Sequence, residues 1–458
     1  MSRRLTLSLL LLAASSFVSA QTYKVLYNFG AKLGDPTDPH NGVLAQSRGG
    51  NIFSSADDLS TDQHGTAFRI TPSGTLTVVH RFAPPGGFGP VGGLTLATDG
   101  LYYGTNDGGG LHGYGNVFKM KQGGGLTVLH AFDGSGSCSE PWAPPIQSAH
   151  GDFYGTARGD GYIHIGCIYR ITSSGEFTVL HSFVPYGLDG GLPAAPLVQG
   201  LDGYFYGTTV WAGAYNVGVI FRISSTGDYK VLHNFGDGPG YYPAAPLIQA
   251  NDGNLYSVAQ SGGTLGGGVV FKITPQGVYS VLHNFGGGDG SQPIGGLVQA
   301  TDGNFYGTTQ YGGTADAGVL YRVSPAGDFA VLHNFDKTTG AYAMNTPLQH
   351  TNGILYGTTA EGGNAGKGTF FSFDLGLPPF VTYLPTYGRP GAVVRILGQG
   401  FTDTTQVFFN GTPAISPVVV YPTYLKATVP DGATTGPITV TTSTGTLTSN
   451  KVFVVHPN

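Results

Sequence analysis

The phrase Val-Leu-His-Asn-Phe, or a close relative, returns about every 50 residues along this chain. Its third position falls on Tyr27, His80, His130, His181, His233, His283 and His333. A second phrase, Asp-Gly-x-aromatic/Leu-Tyr-Gly-Thr, keeps the same beat at Tyr103, Tyr154, Tyr206, Tyr256, Tyr306 and Tyr356, with a worn first copy at Gly50-Asn51-Ile52-Phe53. One such unit cannot bury its apolar face alone, so the copies must pack on one another. The period therefore constrains architecture before it says anything of function.

A single copy reads as four short strands: Pro246–Ala250, Asn254–Val258, Gly268–Thr274 and Tyr279–Phe285. Each is rich in β-branched and aromatic residues and bounded by turn chemistry, such as Asp252-Gly253 and Thr274-Pro-Gln-Gly277. Four strands per unit describe a blade of a β-propeller. Both phrases occur seven times, but out of step. Tyr23–Phe29 precedes any complete unit, and the copy due after Phe373 is missing. The expectation is an all-β, seven-bladed β-propeller over residues 21–375, closed by the N-terminal strand, which removes exposed edges. An open β-solenoid would show no missing strand. Turns between strands one and two, and three and four, are short and stereotyped. The other connections are long and variable and share the opposite face, where binding is expected.

Arg3-Arg4, the apolar run 5–14 and Val18-Ser19-Ala20 read as a signal peptide over residues 1–20. The run is too short to span a bilayer, and no later segment is apolar enough, so an exported chain with no transmembrane segment is expected. Charged residues make up only 10% of the chain and the net charge is −5, with no Lys/Arg run to track phosphates, which disfavours nucleic acid. In an oxidising compartment Cys138 and Cys167, the only two cysteines, are expected to pair as a disulfide rather than hold a metal. No cofactor is expected.

From Leu377-Pro378-Pro379 the repeat gives way to alternating short strands at Val393–Leu397, Gln406–Phe409, Tyr424–Thr428, Pro437–Thr441 and Val452–Val455, expected to form a β-sandwich over residues 377–458. This segment resembles an IPT/TIG domain, an immunoglobulin-like sandwich. The resemblance is carried by Gly391–Gly398, Gly400-Phe401, Val407–Gly411, Ala427–Pro430 and Gly436–Val440. The preceding part resembles the choice-of-anchor tandem repeat proteins with GloVer repeats, through Phe305-Tyr-Gly-Thr-Thr309, Gly312-Gly313, Gly318 and Tyr321-Arg-Val323. Those resemblances imply an exported protein given to binding or assembly, with no activity to carry over. The chain's last residues, His456-Pro-Asn458, bear no likeness to an anchoring tail.

The recurring His is expected to serve the frame, as a hydrogen bond between blades, since Tyr27 replaces it without altering the phrase. Gln46, Gln147, Gln199, Gln249, Gln299 and Gln349, just before the first turn, are expected to satisfy turn backbone groups. Acids on the variable face (Asp107, Glu140, Asp160, Asp189, Asp237, Asp289, Asp316, Glu361) read as scattered, and no catalytic or calcium-loop signature is present. Aromatic residues of that face, Trp142, Tyr162, Trp211, Tyr215, Tyr241, Tyr242 and Tyr342, are the candidate ligand contacts, for a glycan or a cell-surface protein. A non-catalytic binding or scaffold protein is expected. The alternative is a glycoside hydrolase or polysaccharide lyase with its site on the same face.

Overall fold

The structure is a computed structural model that describes residues 21–40, 42–58, 64–84, 86–134, 138–160, 165–236, 238–403 and 405–456. The signal peptide expected over residues 1–20 lies outside the described residues. The described residues are all β, without helices.

Seven four-stranded antiparallel sheets follow one another through the repeats. Their second strands are Ile52–Ala56, Tyr102–Asn106, Phe153–Ala157, Phe205–Thr209, Leu255–Ala259, Phe305–Thr308 and Leu355–Thr359. They are numbered here as sheets 1 to 7. Second strands are buried throughout, whereas fourth strands are half-exposed, so each sheet runs from interior to surface. Sheet 7 takes its fourth strand from the other end of the chain: Thr22–Asn28 pairs antiparallel with Thr369–Asp374. The apolar cores lie between neighbouring sheets. One of them joins Leu44, Ile52 and Phe68 of sheet 1 to Tyr356 and Phe370 of sheet 7.

The Val-Leu-His phrase proves to be a β-bulge, and every sheet carries it. In sheet 3, Ile168 faces His181 but Tyr169 faces Val179, so Leu180 is the extra residue. Leu26, Val79, Leu129, Leu232, Leu282 and Leu332 are extra in the same way. A bulge bends the strand and re-aims its side chains. Here it turns the histidine toward the next sheet. His130 lies flat on Phe177, His181 on Tyr229, His233 on Tyr279 and His283 on Phe329, with ring centroids 3.6–4.1 Å apart. His333 lies in the same way on Tyr23, 3.8 Å away. Five of the histidines therefore join sheets by stacking, and His80 makes the kind of hydrogen bond expected, with Gly124 O at 3.1 Å. The bulge also explains a turn glycine. A Cβ on Gly124 (φ +90) would stand 1.7 Å from Val79 O of the preceding sheet.

The glutamines stitch the opposite, inner ends. Gln249 accepts from Leu201 N of the sheet before and donates to Gly253 O of its own turn, at 2.9 and 3.0 Å. Gln147, Gln199, Gln299 and Gln349 accept in the same way from the preceding sheet. Gln46 reaches sheet 7, accepting from Thr351 N at 3.0 Å and donating to Thr351 Oγ1 at 2.7 Å. Sheet 2 has Leu96 at this position, and Arg48 supplies the link by donating to Thr98 O at 2.7 Å. Turn backbone groups are thus what these amides satisfy.

The C-terminal segment forms a four-stranded sheet facing a five-stranded one. Val394, Ile396, Phe409, Leu425, Ile438, Val440 and Phe453 fill the space between them. Sequence reading missed the strand Ile415–Tyr421, whose Pro417 and mostly exposed residues mark an edge strand. This unit sits on the glutamine end of the sheets: Thr423 Oγ1 donates to Arg48 O at 2.6 Å, Gln399 Nε2 to Thr351 Oγ1 at 2.8 Å, and Asn251 Nδ2 to Asn450 O at 3.1 Å. The variable connections at the other end are left uncovered by it.

Candidate functional site

Each variable connection enters its sheet through the same three-residue device. The first residue has positive φ: Asp38, Gly89, Glu140, Leu192, Tyr242, Gln292 and Tyr342, all between +51 and +65. Its N–H donates to the preceding sheet, at Lys367, His64, Tyr114, Ile165, Val217, Gly267 and Ala317 carbonyls respectively. In sheets 2 to 7 its own carbonyl accepts from the residue just past the second strand: Asp107, Arg158, Val210, Gln260, Gln310 and Ala360. Proline follows in six copies and Ala343 in the seventh. The third residue, His40, Val91, Trp142, Ala194, Ala244, Ile294 or Met344, then starts toward the interior. Backbone bonds on both sides thus fix where each residue of this rim stands, whatever its side chain is.

The rim is uneven in chemistry. Its charged residues, Asp38, His40, Asp57, Asp107, Glu140 and Arg158, all belong to sheets 1 to 3 or the connections entering them. The equivalent positions of sheets 4 to 7 carry none. Asp107 is held well above the usual carboxylate range, at about 7, by burial first and then by the neighbouring charges of Asp57 and Glu140. Burial also raises Asp57 and Glu140, opposed by His40 for the first and Arg158 for the second. His40, which burial alone would push down, is raised by its 3.1 Å hydrogen bond to Asp38 and by the charges of Asp38 and Asp57. Gly89 makes room for this: a Cβ there would stand 1.9 Å from Asp107 Oδ1. The acids read as scattered in the sequence are therefore of two kinds. Asp107 feels the charges of both Glu140 and Asp57, the last of which sequence reading did not single out. Asp189 and Asp289 are engaged by His181 and His283, each at 2.8 Å, and Asp316 accepts from Gly312 N. Asp237 lies outside the described residues.

Beside the acids, the Arg158 guanidinium lies over the Trp142 ring, 4.2 Å from its centroid. The Trp142 indole N–H is buried without a hydrogen-bond partner. Trp142, Arg158, Trp211 and Tyr242 line one cavity of about 410 Å³, with Val210 and Gln260. A second cavity, of about 290 Å³, continues inward from Trp142 past Val91, Ala194, Ile294 and Met344. The structure thus brings together three of the seven aromatic candidates. Tyr215 and Tyr241 are exposed outside these cavities, and Tyr342 packs edge-on against Tyr311. Tyr162 lies outside the described residues. Cys138 and Cys167 form a disulfide between the connection entering sheet 3 and its third strand. Among the described residues no three His, Cys, Asp or Glu side chains stand together as a metal site, and no helix is long and apolar enough to cross a membrane.

Chemically, the arrangement offers a cationic and aromatic platform whose Arg158 feels the charge of Glu140, and Glu140 in turn neighbours Asp107, a carboxyl able to donate a proton near neutral pH.

No curated protein matches the chain. A fungal alcohol oxidase of the AA5 family, solved in complex with copper, is similar in fold, at 14% identity and a TM-score of 0.56. The match covers 96% of this chain and 100% of that one. A puromycin hydrolase (13% identity, TM-score 0.46, 80% of this chain and 59% of that one) and a protein of unknown function from Dyadobacter fermentans (10%, 0.41, 77% and 96%) are more remote. At these identities the likeness extends to the fold alone. A model of the Gloeobacter/Verrucomicrobia repeat matches residues 15–146 and 140–371, the larger part of the sequence, and the chain belongs to that repeat family.

Proposed function

We propose that this chain is an exported glycan-binding protein, built as a closed seven-bladed β-propeller whose glutamine end is covered by an IPT/TIG-like sandwich. The pairing of Thr22–Asn28 with Thr369–Asp374 and the Gln46–Thr351 bonds support closure of the ring. The Cys138–Cys167 disulfide fits an oxidising compartment. The observation that carries the ligand class is the Trp142–Arg158 platform, which lines one cavity with Trp211 and Tyr242 at the uncovered end and feels the charge of Glu140 at Arg158. Aromatic faces beside hydrogen-bonding carboxylates suit the alternating apolar and hydroxyl surfaces of a sugar, and Trp, Tyr and Arg dominate binding hot spots. A glycan array probed with the wild-type chain and with Trp142→Ala tests the reading. Selective binding lost in the variant supports it, and an array that stays blank sinks it.

A second reading, glycosidic-bond cleavage at the same place, is favoured by one observation: Asp107 keeps its proton to about pH 7 beside Asp57 and Glu140. A proton donor next to a carboxylate is what such cleavage needs. Polysaccharide turnover that Asp107→Asn abolishes, while ligand is still bound, decides for the enzyme. Ligand held without turnover decides for the binder.

A further inference from the structure

The other end of the molecule holds a cavity of different character. Between the glutamine ends of sheets 1, 2, 5, 6 and 7 and the C-terminal sandwich lies a chamber of about 450 Å³, within the size range of small-molecule sites. Its walls are mostly aliphatic: Leu94, Leu96, Leu297 and Leu348 from the sheets, Leu397 and Phe380 from the C-terminal segment. Its charged lining residues are Arg48, Arg395 and Lys451, with no Asp or Glu among them.

Two polar groups of the lining lack partners. Tyr424 is 2% exposed and its hydroxyl is buried without a hydrogen bond, as is Asn450 Oδ1. Leaving such groups unpaired is costly, so a site that keeps them is a candidate for a ligand. Lys451 lines the chamber and keeps accessible surface, so its ammonium is within reach of a ligand there. Arg48 is already held by Thr98 O and by the Tyr424 ring, 4.7 Å from its centroid, so it contributes field more than contact. Arg395 and Lys451 remain as the groups able to meet an anion.

We infer that this chamber is a binding site for a single-chain amphiphilic carboxylate, its alkyl chain against the leucines and its head group toward Lys451 and Arg395. Three cations exclude a cationic head by repulsion. A small inorganic anion would leave the apolar volume unfilled, and burial of that apolar surface is what drives entry. A carboxylate complements a lining that carries Arg48, Arg395 and Lys451 and no acid.

Isothermal titration of residues 21–458 with dodecanoate, dodecanol and dodecyltrimethylammonium, each below its micelle concentration, tests the inference. One dodecanoate should bind per chain, dodecanol should bind at least roughly tenfold more weakly, and the cation should not bind. Lys451→Met should weaken dodecanoate by roughly tenfold or more and leave dodecanol unchanged. Leu96→Trp, which fills the chamber, should abolish both, whereas Trp142→Ala at the far end should change neither. No binding of dodecanoate, equal binding of acid and alcohol, or loss on Trp142→Ala would each overturn the assignment. Should Leu96→Trp fail to fold, Lys451→Met still decides, because it changes a side chain that already has space around it.

Discussion

His283 lies flat on Phe329 of the next sheet, centroids 3.6 Å apart and planes 3° from parallel, while its Nε2 meets Asp289 at 2.8 Å. One side chain thereby joins two sheets and orders the connection between them. The β-bulge one residue earlier aims the ring there. The phrase that marks the repeat is therefore a joint.

Breaking that joint should cost stability without touching the rim. Phe329→Ala removes the stack and a half-buried ring, and about 2–3 kcal/mol is expected from thermal unfolding, less than for a fully buried ring. His283→Leu keeps apolar contact and should cost less. Burial lowers the pKa of His80, His130, His283 and His333. The unfolded chain thus takes up protons first as pH falls. Their contribution is present above about pH 6.5 and declines below it. Midpoints measured from pH 8 to pH 5 should fall, and more gently in His130→Phe than in wild type.

Asp107 has the opposite sign. Its folded pKa, about 7, exceeds its unfolded value of 3.8, so its contribution is present below about pH 4 and is lost as pH rises through 7. Asp107→Asn should be more stable than wild type at pH 8, by about 1–3 kcal/mol after discounting for partial exposure, with no gain at pH 4. Denaturant melts at the two pH values measure the difference.

Gln46→Ala and Gln249→Ala remove the same link in different surroundings. Gln46 serves the buried Thr351, whereas Gln249 serves the exposed Leu201. An orphaned donor is costly only where water cannot reach it. Gln46→Ala should lose about 1–3 kcal/mol and Gln249→Ala distinctly less, a ranking that urea titration of both variants would check.

Deleting residues 22–28 would bare Thr369–Asp374, whose Phe370, Phe371 and Phe373 are buried. An unpaired apolar edge templates aggregation. The truncated chain should elute as aggregates in gel filtration, and adding the excised strand as a peptide should restore part of the monomer.

Reducing the Cys138–Cys167 bond, which spans 29 residues, should lower stability by about 3–4 kcal/mol on the loop-entropy account. Melting with and without dithiothreitol, beside a Cys138→Ser/Cys167→Ser variant, gives the figure.

The frame was legible because its positions repeat in residue type: Tyr206, Tyr256 and Tyr306 answer one another, as do the glutamines. The rim was not, because its positions repeat in backbone geometry and differ in side chain. Glu140, Leu192, Tyr242 and Gln292 share one conformation and no chemistry. A signal did exist in Pro39, Pro90, Pro141, Pro193, Pro243 and Pro293, which recur with the period and each follow a rim residue. Asp57 escaped notice because the first unit is the most worn. The chamber lies between two units, and no local pattern announces a space that only their packing encloses.

The double tether of the rim residues of sheets 2 to 7, through the N–H to one sheet and the carbonyl to the next, separates position from identity. A substitution there alters what the opening presents while the main chain stays where it was. Selection can thus rewrite the chemistry of this rim one sheet at a time, and a designer could do the same by changing side chains alone.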